Sequence, residues 1–232
     1  MKLLRLLPVV VLSLALGTSC LPAGASAPNP FAQMKLVFAD ADAQQSVRVT
    51  TTANQSGMKI LEITDAGRSE GRQSIALTSG GKTNTLTSEL IGGKLFVKGD
   101  AAILTSYLAL SQGNANELAG QWFGIPKSSG YYAEVAQGLT LSTGITEVTM
   151  TNTVKTAPNT TINGTKVEVL KGMSVKSSLE ASFKEALYFS IAKKPLPVEV
   201  TQSVQGSVGT IAFSHWNEKI ELVAPKVTLH LN

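Results

Sequence analysis

Ser88–Leu104 reads S-E-L-I-G-G-K-L-F-V-K-G-D-A-A-I-L, and two periodicities meet in it. Leu86, Ser88 and Leu90 alternate with Thr87 and Glu89 as far as Ile91. Gly92-Gly93 then turns the chain, and Leu95 and Val97 alternate with Lys94, Phe96 and Lys98. Alternation at period two on both sides of a short glycine turn predicts an antiparallel hairpin. Gly99 ends the second strand, and Asp100 is a residue type that caps helices. From Ala101 to Leu110 the period changes. Ile103, Tyr107 and Leu110 share a helical face, with Leu104 and Leu108 beside them. The segment is a junction where a sheet passes the chain to helices that cover it.

Upstream of the junction the pattern is a meander. Ser46–Thr52, Met58–Thr64, Arg72–Thr78, Asn84–Ile91 and Lys94–Lys98 read as strands, and Gly57, Gly67, Gly80-Gly81 and Gly92-Gly93 mark the links. Val49, Leu61, Ile63, Ile75, Leu77, Leu86, Leu90, Leu95 and Val97 compose the expected apolar face. An antiparallel sheet with one apolar face needs a cover, and Ile103, Leu104, Tyr107 and Leu108 are placed to supply it. A short helix over Phe31–Ala41, after Pro30, is expected to pack on an end of the sheet.

Downstream, Asn114 followed by Glu117 reads as a capping box for a second short helix that ends near Gly120. Gln121–Pro126 is an extended edge, since Pro126 is tolerated only at such an edge. Tyr131–Gln137 is a further short helix. Glu147–Thr156 and Thr165–Leu170 are strands on either side of Asn163-Gly164. Ser177 with Glu180 predicts a helix over Ser178–Ala186. Leu187–Ile191, Leu196–Gln202, Gly209–Phe213 and Lys219–Val223 complete the strands, and the tail Ala224–Asn232 is an edge strand or disordered. Strands, then helices, then strands in 232 residues fit one domain.

The amino terminus reads as a targeting segment. Lys2 and Arg5 precede the apolar run Leu6–Leu16, which is short for a bilayer span. Two exits are open. Leu16-Gly17-Thr18-Ser19-Cys20 ends in a lipobox-like cysteine, with cleavage before Cys20 and a diacylglyceryl thioether on its sulfur. Ala23-Gly24-Ala25 offers ordinary cleavage before Ser26. The expected organisation is a signal peptide over 1–19, a tether over 20–29, one domain over 30–225 and a tail over 226–232. Cys20 is the sole cysteine, so an internal disulfide and a cysteine-built metal site are excluded. The formal charge of +4 falls to about +2 once Lys2 and Arg5 are removed, which is no footprint for nucleic acid.

Catalytic chemistry has little to work with. The two histidines, His215 and His230, stand in no metal-ligand spacing. Asp40, Asp42, Asp65 and Asp100 are paired by spacing with no acid or base partner of the glycosidase kind. Gly92-Gly93-Lys94 is followed by Leu95 and opens a strand, so it is no phosphate loop, and no Gly-x-Ser-x-Gly elbow occurs. No cofactor and no enzymatic activity are expected.

Five segments in order carry a resemblance. They are Gly92–Ala102, Leu118–Pro126, Asn163-Gly164-Thr165, Leu187–Val198 with its Lys194-Pro195-Leu196-Pro197, and Phe213–Lys219 running on to Ala224-Pro225. Together they resemble the LppX/LprG-type actinobacterial lipoproteins, relatives of the LolA/LolB fold, from about Phe31 to Pro225. The stretch Gly172–Ala186 is longer than the link usual in that family. The resemblance implies an α+β fold, a curved antiparallel β half-barrel with helices across its concave face and an apolar cavity between. It also implies an exported lipoprotein, anchored at the outer face of the cell membrane through Cys20 or else secreted. That protein would be a monomer and would bind or carry an acylated lipid or glycolipid. The cavity would be lined by the meander and cover residues named above. The same pattern with a filled core would instead make a non-enzymatic interaction or structural module of the envelope.

Overall fold

The computed structural model describes residues 29–136, 138–144, 150, 153–176, 181–204, 207–227 and 229–230. The leader and Cys20 lie outside the described residues. The chain enters as helix α1 (Pro30–Asp42), where Pro30 suits the first turn and Asn29 Oδ1 accepts the Phe31 N–H at 2.9 Å. A meander follows: β1 (Ser46–Gln55), β2 (Met58–Gly67), β3 (Gly71–Ser79), β4 (Lys82–Ile91) and β5 (Lys94–Gly99). Next come α2 (Ala101–Tyr107), α3 (Gln112–Leu118), β6 (Phe123–Ile125), α4 (Gly130–Ala136) and α5 (Leu141–Gly144). A second run of strands closes the chain: β7 (Lys155–Ile162), β8 (Thr165–Lys176), β9 (Ala181–Ser190), β10 (Pro197–Val204), β11 (Ser207–Ser214) and β12 (Leu229–His230). None of the described helices is long and apolar enough to cross a membrane.

All the strands join one open sheet in the order β12-β6-β5-β4-β3-β2-β1-β11-β10-β9-β8-β7. Every pairing is antiparallel except β12 on β6, which is parallel. The turns set the register. Ser56 and Gly57 both take positive φ, 52° and 79°, in a two-residue turn that pairs Gln55 with Met58. Asn163 and Gly164 do the same for Ile162 and Thr165.

Three expectations are corrected here. Ala181–Ala186 is strand, not helix: β8 runs on to Lys176, and β9 pairs with it as far as Lys176–Ala181. The local capping signal loses because the extended β8 backbone needs partners and β9 supplies them. The capping residues Ser177 and Glu180 lie outside the described residues. The strand before the Asn163-Gly164 turn starts at Lys155, not Glu147, and includes Pro158; of the expected stretch, 147–149, 151 and 152 lie outside the described residues. β7 is an edge strand, and its register shifts between Ala157 and Thr160, which is where a proline fits. Lys219–Val223 is not a strand. Ile220 passes over Gly67, where it would lie 3.3 Å from an added Cβ, and the chain goes on to pair Leu229–His230 with Phe123–Gly124.

The caps also differ from the reading. α3 is capped three residues before the expected box, with Ser111 Oγ accepting the Asn114 N–H at 3.2 Å. Asp100 occupies the N-cap position of α2 but makes no side-chain cap bond. Its Oδ2 accepts from Thr85 N at 2.6 Å and Thr85 Oγ1 at 3.1 Å, and so ties the helix start to β4.

Candidate functional site

Directly paired residues share a face, so the ladders assign every strand residue to one side of the sheet. One side carries the row Phe213-Val49-Thr64-Gln73-Ser88-Val97-Phe123, from β11 across to β6. The adjoining row continues into β10, β9 and β8 as Ile211-Val200-Leu187-Leu170. This side holds two separate hydrophobic clusters. In the first, Met34, Val37 and Ala41 of α1 and Leu141 of α5 pack with Val47, Val49, Phe213, Val200, Leu187 and Leu170. In the second, Ile103, Leu104 and Leu108, with Leu118 of α3 and Val135 of α4, pack with Ile75, Leu86, Leu90, Leu95, Val97 and Phe123.

The expected lining residues divide accordingly. Ile75, Leu86, Leu90, Leu95, Val97, Ile103, Leu104 and Leu108 meet in the second cluster, and Leu77 packs partly buried against it. Val49 belongs to the first. Leu61 and Ile63 do not share their face. They pair with Thr52 and Thr50 on the opposite side and stand 41% and 36% exposed. The cause is the Ser56-Gly57 turn, which puts Ile60, Glu62 and Thr64 on the covered side. Tyr107 lies at the solvent side of α2, 42% exposed.

Sequence reasoning missed three features. The first is a polar row crossing the covered face. Gln73 Nε2 donates to Glu62 Oε1 at 2.8 Å and to Thr64 Oγ1 at 3.2 Å. Ser88 is fully buried beside Gln73, and its Oγ meets no partner among the described residues. The second is a half-covered strip toward the β1–β2 and β3–β4 turns. There the paired Ala53, Ile60, Leu77 and Asn84 are only partly buried. Parity counted from the two-residue turns would have found both. The third is a groove of about 430 Å³ between α1 and the β9–β10 turn. It is lined by Ala32, Gln33, Leu36, Glu168, Phe189, Ile191, Ala192, Lys193 and Pro195, with Ser190 at its end. Gln33 Nε2 donates to Glu168 Oε2 across its floor at 2.6 Å.

The opposite face carries a charged row. Arg48, Asp65, Arg72 and Glu89 stand side by side on β1 to β4. Arg48 pairs with Asp65 at 2.6 Å, and Arg72 with Glu89 at 2.7 Å. The Asp65 hydrogen bond raises the Arg48 pKa above its ordinary value, against desolvation, with the Asp65 and Glu218 charges adding to the rise. Glu199, paired with Ala212 and Tyr188 on this face, has its carboxyl pKa raised by burial. A polar cleft of about 230 Å³ lies where residues 218–222 pass Arg48, Asp65 and Arg72. None of the expected lining residues borders either the groove or this cleft. No group of three or more metal-ligating side chains occurs among the described residues.

This fold, a single open sheet that is antiparallel but for one edge pairing, with short helices between its two runs of strands, is similar to that of solved LppX-type lipoproteins. No protein-family model matches the sequence, and no curated protein matches it. Among solved structures, the Mycobacterium tuberculosis lipoprotein LppX matches with a TM-score of 0.52 at 14% identity, over 84% of this chain and 99% of that one. LprF from Mycobacterium bovis matches with a TM-score of 0.53 at 12% identity, over 86% and 99%. The likeness is one of fold.

Proposed function

We propose that this protein is an exported envelope lipoprotein that binds or carries an acylated lipid between its sheet and its helices. In this reading the sheet curves as a half-barrel, with α1 to α5 across its concave side. Cys20 carries the diacylglyceryl anchor, residues 20–29 are the tether, and residues 30–225 act as one monomeric domain followed by the tail 226–232. The observation that carries the reading is the uneven cover of one apolar face. Leu86, Leu104 and Val97 are sealed, while Ala53, Ile60 and Leu77 on the same face are half open. An acyl chain enters along that strip and displaces α2 and α3 from Ile75 and Leu86. Binding is driven by apolar area, with Glu62 and Asn84 as the polar groups near the mouth. No cofactor and no catalytic residue take part.

The test is extraction of the protein purified from its native membrane, with mass spectrometry of the solvent phase. A stoichiometric lipid or glycolipid is expected. A clean extract, together with no rise in melting temperature when long-chain lipid is added back, ends the carrier reading. Anchoring is tested by Cys20→Ala, which is expected to release the protein from the membrane fraction; a variant that stays bound removes the anchor from the reading. A second reading is favoured by one observation, the near-complete burial of Ile103, Leu104 and Leu108 against the sheet. With that core permanently filled, the protein is an interaction or structural module of the envelope, and the clean extract is its expected result.

A further inference from the structure

The groove beside α1 lies at the end of the strands where the chain enters from the leader. Leu36 and Ile191 line it and are 52% and 53% exposed. Both are large apolar side chains with water over half their surface, and they sit on two different elements brought to one rim. Lys193 lines the groove, Lys194 follows in the same exposed turn, and Lys35 is exposed on the adjoining flank of α1, its Nζ 4.6 Å from the Phe31 ring. Lys166 stands on β8, next to the β7–β8 turn at the same end. The carboxylate among them, Glu168, is engaged by Gln33. An apolar rim set in a ring of lysines matches a bilayer surface of anionic phospholipid.

The tether points the same way. Cys20 is ten residues before Pro30, so a lipid on its sulfur holds the α1 amino terminus within about 35 Å of the leaflet, at roughly 3.3–3.6 Å per extended residue. We infer that the α1/β9–β10 rim, with Leu36 and Ile191 as its apolar contacts and Lys35, Lys193 and Lys194 as its cations, docks on an anionic leaflet. This rests on the proposed envelope location, and it orients the molecule. The half-open Ala53–Ile60–Leu77 strip is at the opposite end of the strands, so the docked protein presents its lipid entrance away from the anchoring bilayer.

The test uses the exported chain carrying Cys20→Ser, which cannot be acylated and leaves no native thiol. An environment-sensitive fluorophore is attached to Ile191→Cys, and in a second protein to Val208→Cys, which is 56% exposed at the other end of the strands. Vesicles of phosphatidylglycerol are expected to shift the probe at 191 to the blue and to leave the probe at 208 unmoved. Phosphatidylcholine vesicles are expected to move neither. Lys193→Ala with Lys194→Ala should raise the lipid concentration for half response about 25-fold, at about fivefold per lysine near an anionic surface. Equal responses at 191 and 208, an equal response to phosphatidylcholine, or a shift that appears with protein concentration alone (a second copy on the rim) each overturn the inference. The lipid extraction result is independent of this one, so either reading can fail without the other.

Discussion

Two leucines that the sequence assigns to one cavity lining, Leu61 on the sheet and Leu104 in its cover, separate sharply in the structure, and the difference is measurable. Leu104 of α2 is fully buried, and its Cδ2 lies close enough to Gly99 to sit 3.3 Å from an added Cβ there. Leu61 of β2 is 41% exposed on the opposite side of the sheet. Leu104→Ala removes three buried carbons from a position whose neighbours are the strand backbone and other buried side chains. Relaxation is limited at such a site, and the expected loss is about 3 kcal/mol. For a domain of this length that lowers the melting temperature by roughly 6–12 °C. Leu61→Ala opens no cavity, and its expected loss is no more than about 1 kcal/mol. Urea unfolding at constant m reads both, and the two midpoints should differ by the equivalent of about 2 kcal/mol. Equal losses, or a larger loss at Leu61, would mean that the register set by the Ser56-Gly57 turn is wrong and with it the assignment of the covered face.

Gly71→Ala should abolish folding or cost more than about 3 kcal/mol, because the added Cβ meets the Leu139 backbone carbonyl and sits 2.8 Å from Asp65 O; wild-type expression and stability would refute this. Ser111→Ala removes the α3 cap and should cost about 1 kcal/mol, read by thermal melting, whereas Asn114→Ala should be close to neutral. Glu199→Gln should raise the melting temperature at pH 7 and leave it unchanged near pH 3. The folded carboxyl has a raised pKa, so the native state holds its proton longer than the unfolded chain. The wild type therefore loses stability as pH rises through that window, and a neutral side chain escapes the loss. An equal gain at both pH values would show that charge is not the cause.

The five strands of the meander, α1, α2 and the sheet-to-helix junction were legible because period two and period 3.6 are local signals. The faces were less so. β2 reads Met58-Lys59-Ile60-Leu61-Glu62-Ile63 and has apolar residues on both sides, so its own pattern cannot choose. The choice is made by the turns, whose length fixes parity: Gln55 opposite Met58 forces Val49 opposite Thr64 and leaves Leu61 and Ile63 outside. The second half was harder for a different reason. β8 and β9 extend each other through Lys176–Ala181, and a local helix signal at Ser177–Glu180 carries no information about that partner. The path from Glu218 to Leu229 is also non-local, since it leaves β11 in the middle of the sheet and reaches the edge at β6.

The polar row Thr64-Gln73-Ser88 bears on where a ligand can sit. Buried polar side chains in an otherwise apolar face are costly unless they satisfy something. Here a segment of backbone crosses the same place. Thr140 bridges Gly67, the Leu139 carbonyl lies against Gly71, and an added Cβ at Gly138 would be 3.8 Å from Gln73 Nε2. Backbone threaded between two hydrophobic clusters brings N–H and C=O groups that need partners, and the polar row lies where they are. Gly71 is glycine because that approach leaves no room for a side chain. Gln73 is held by Glu62 and Thr64 and lies beside the link between α4 and α5, while Ser88 Oγ meets no partner among the described residues. In the carrier reading, the backbone that crosses at Gly71 leaves the acyl chain the side toward the turns, at Glu62, Ile75 and Leu86 and the half-open strip beyond them. A bulky residue at Leu77 is then expected to block lipid uptake while sparing stability, and the same substitution at Leu90, on the other side of the polar row, is expected to do the reverse.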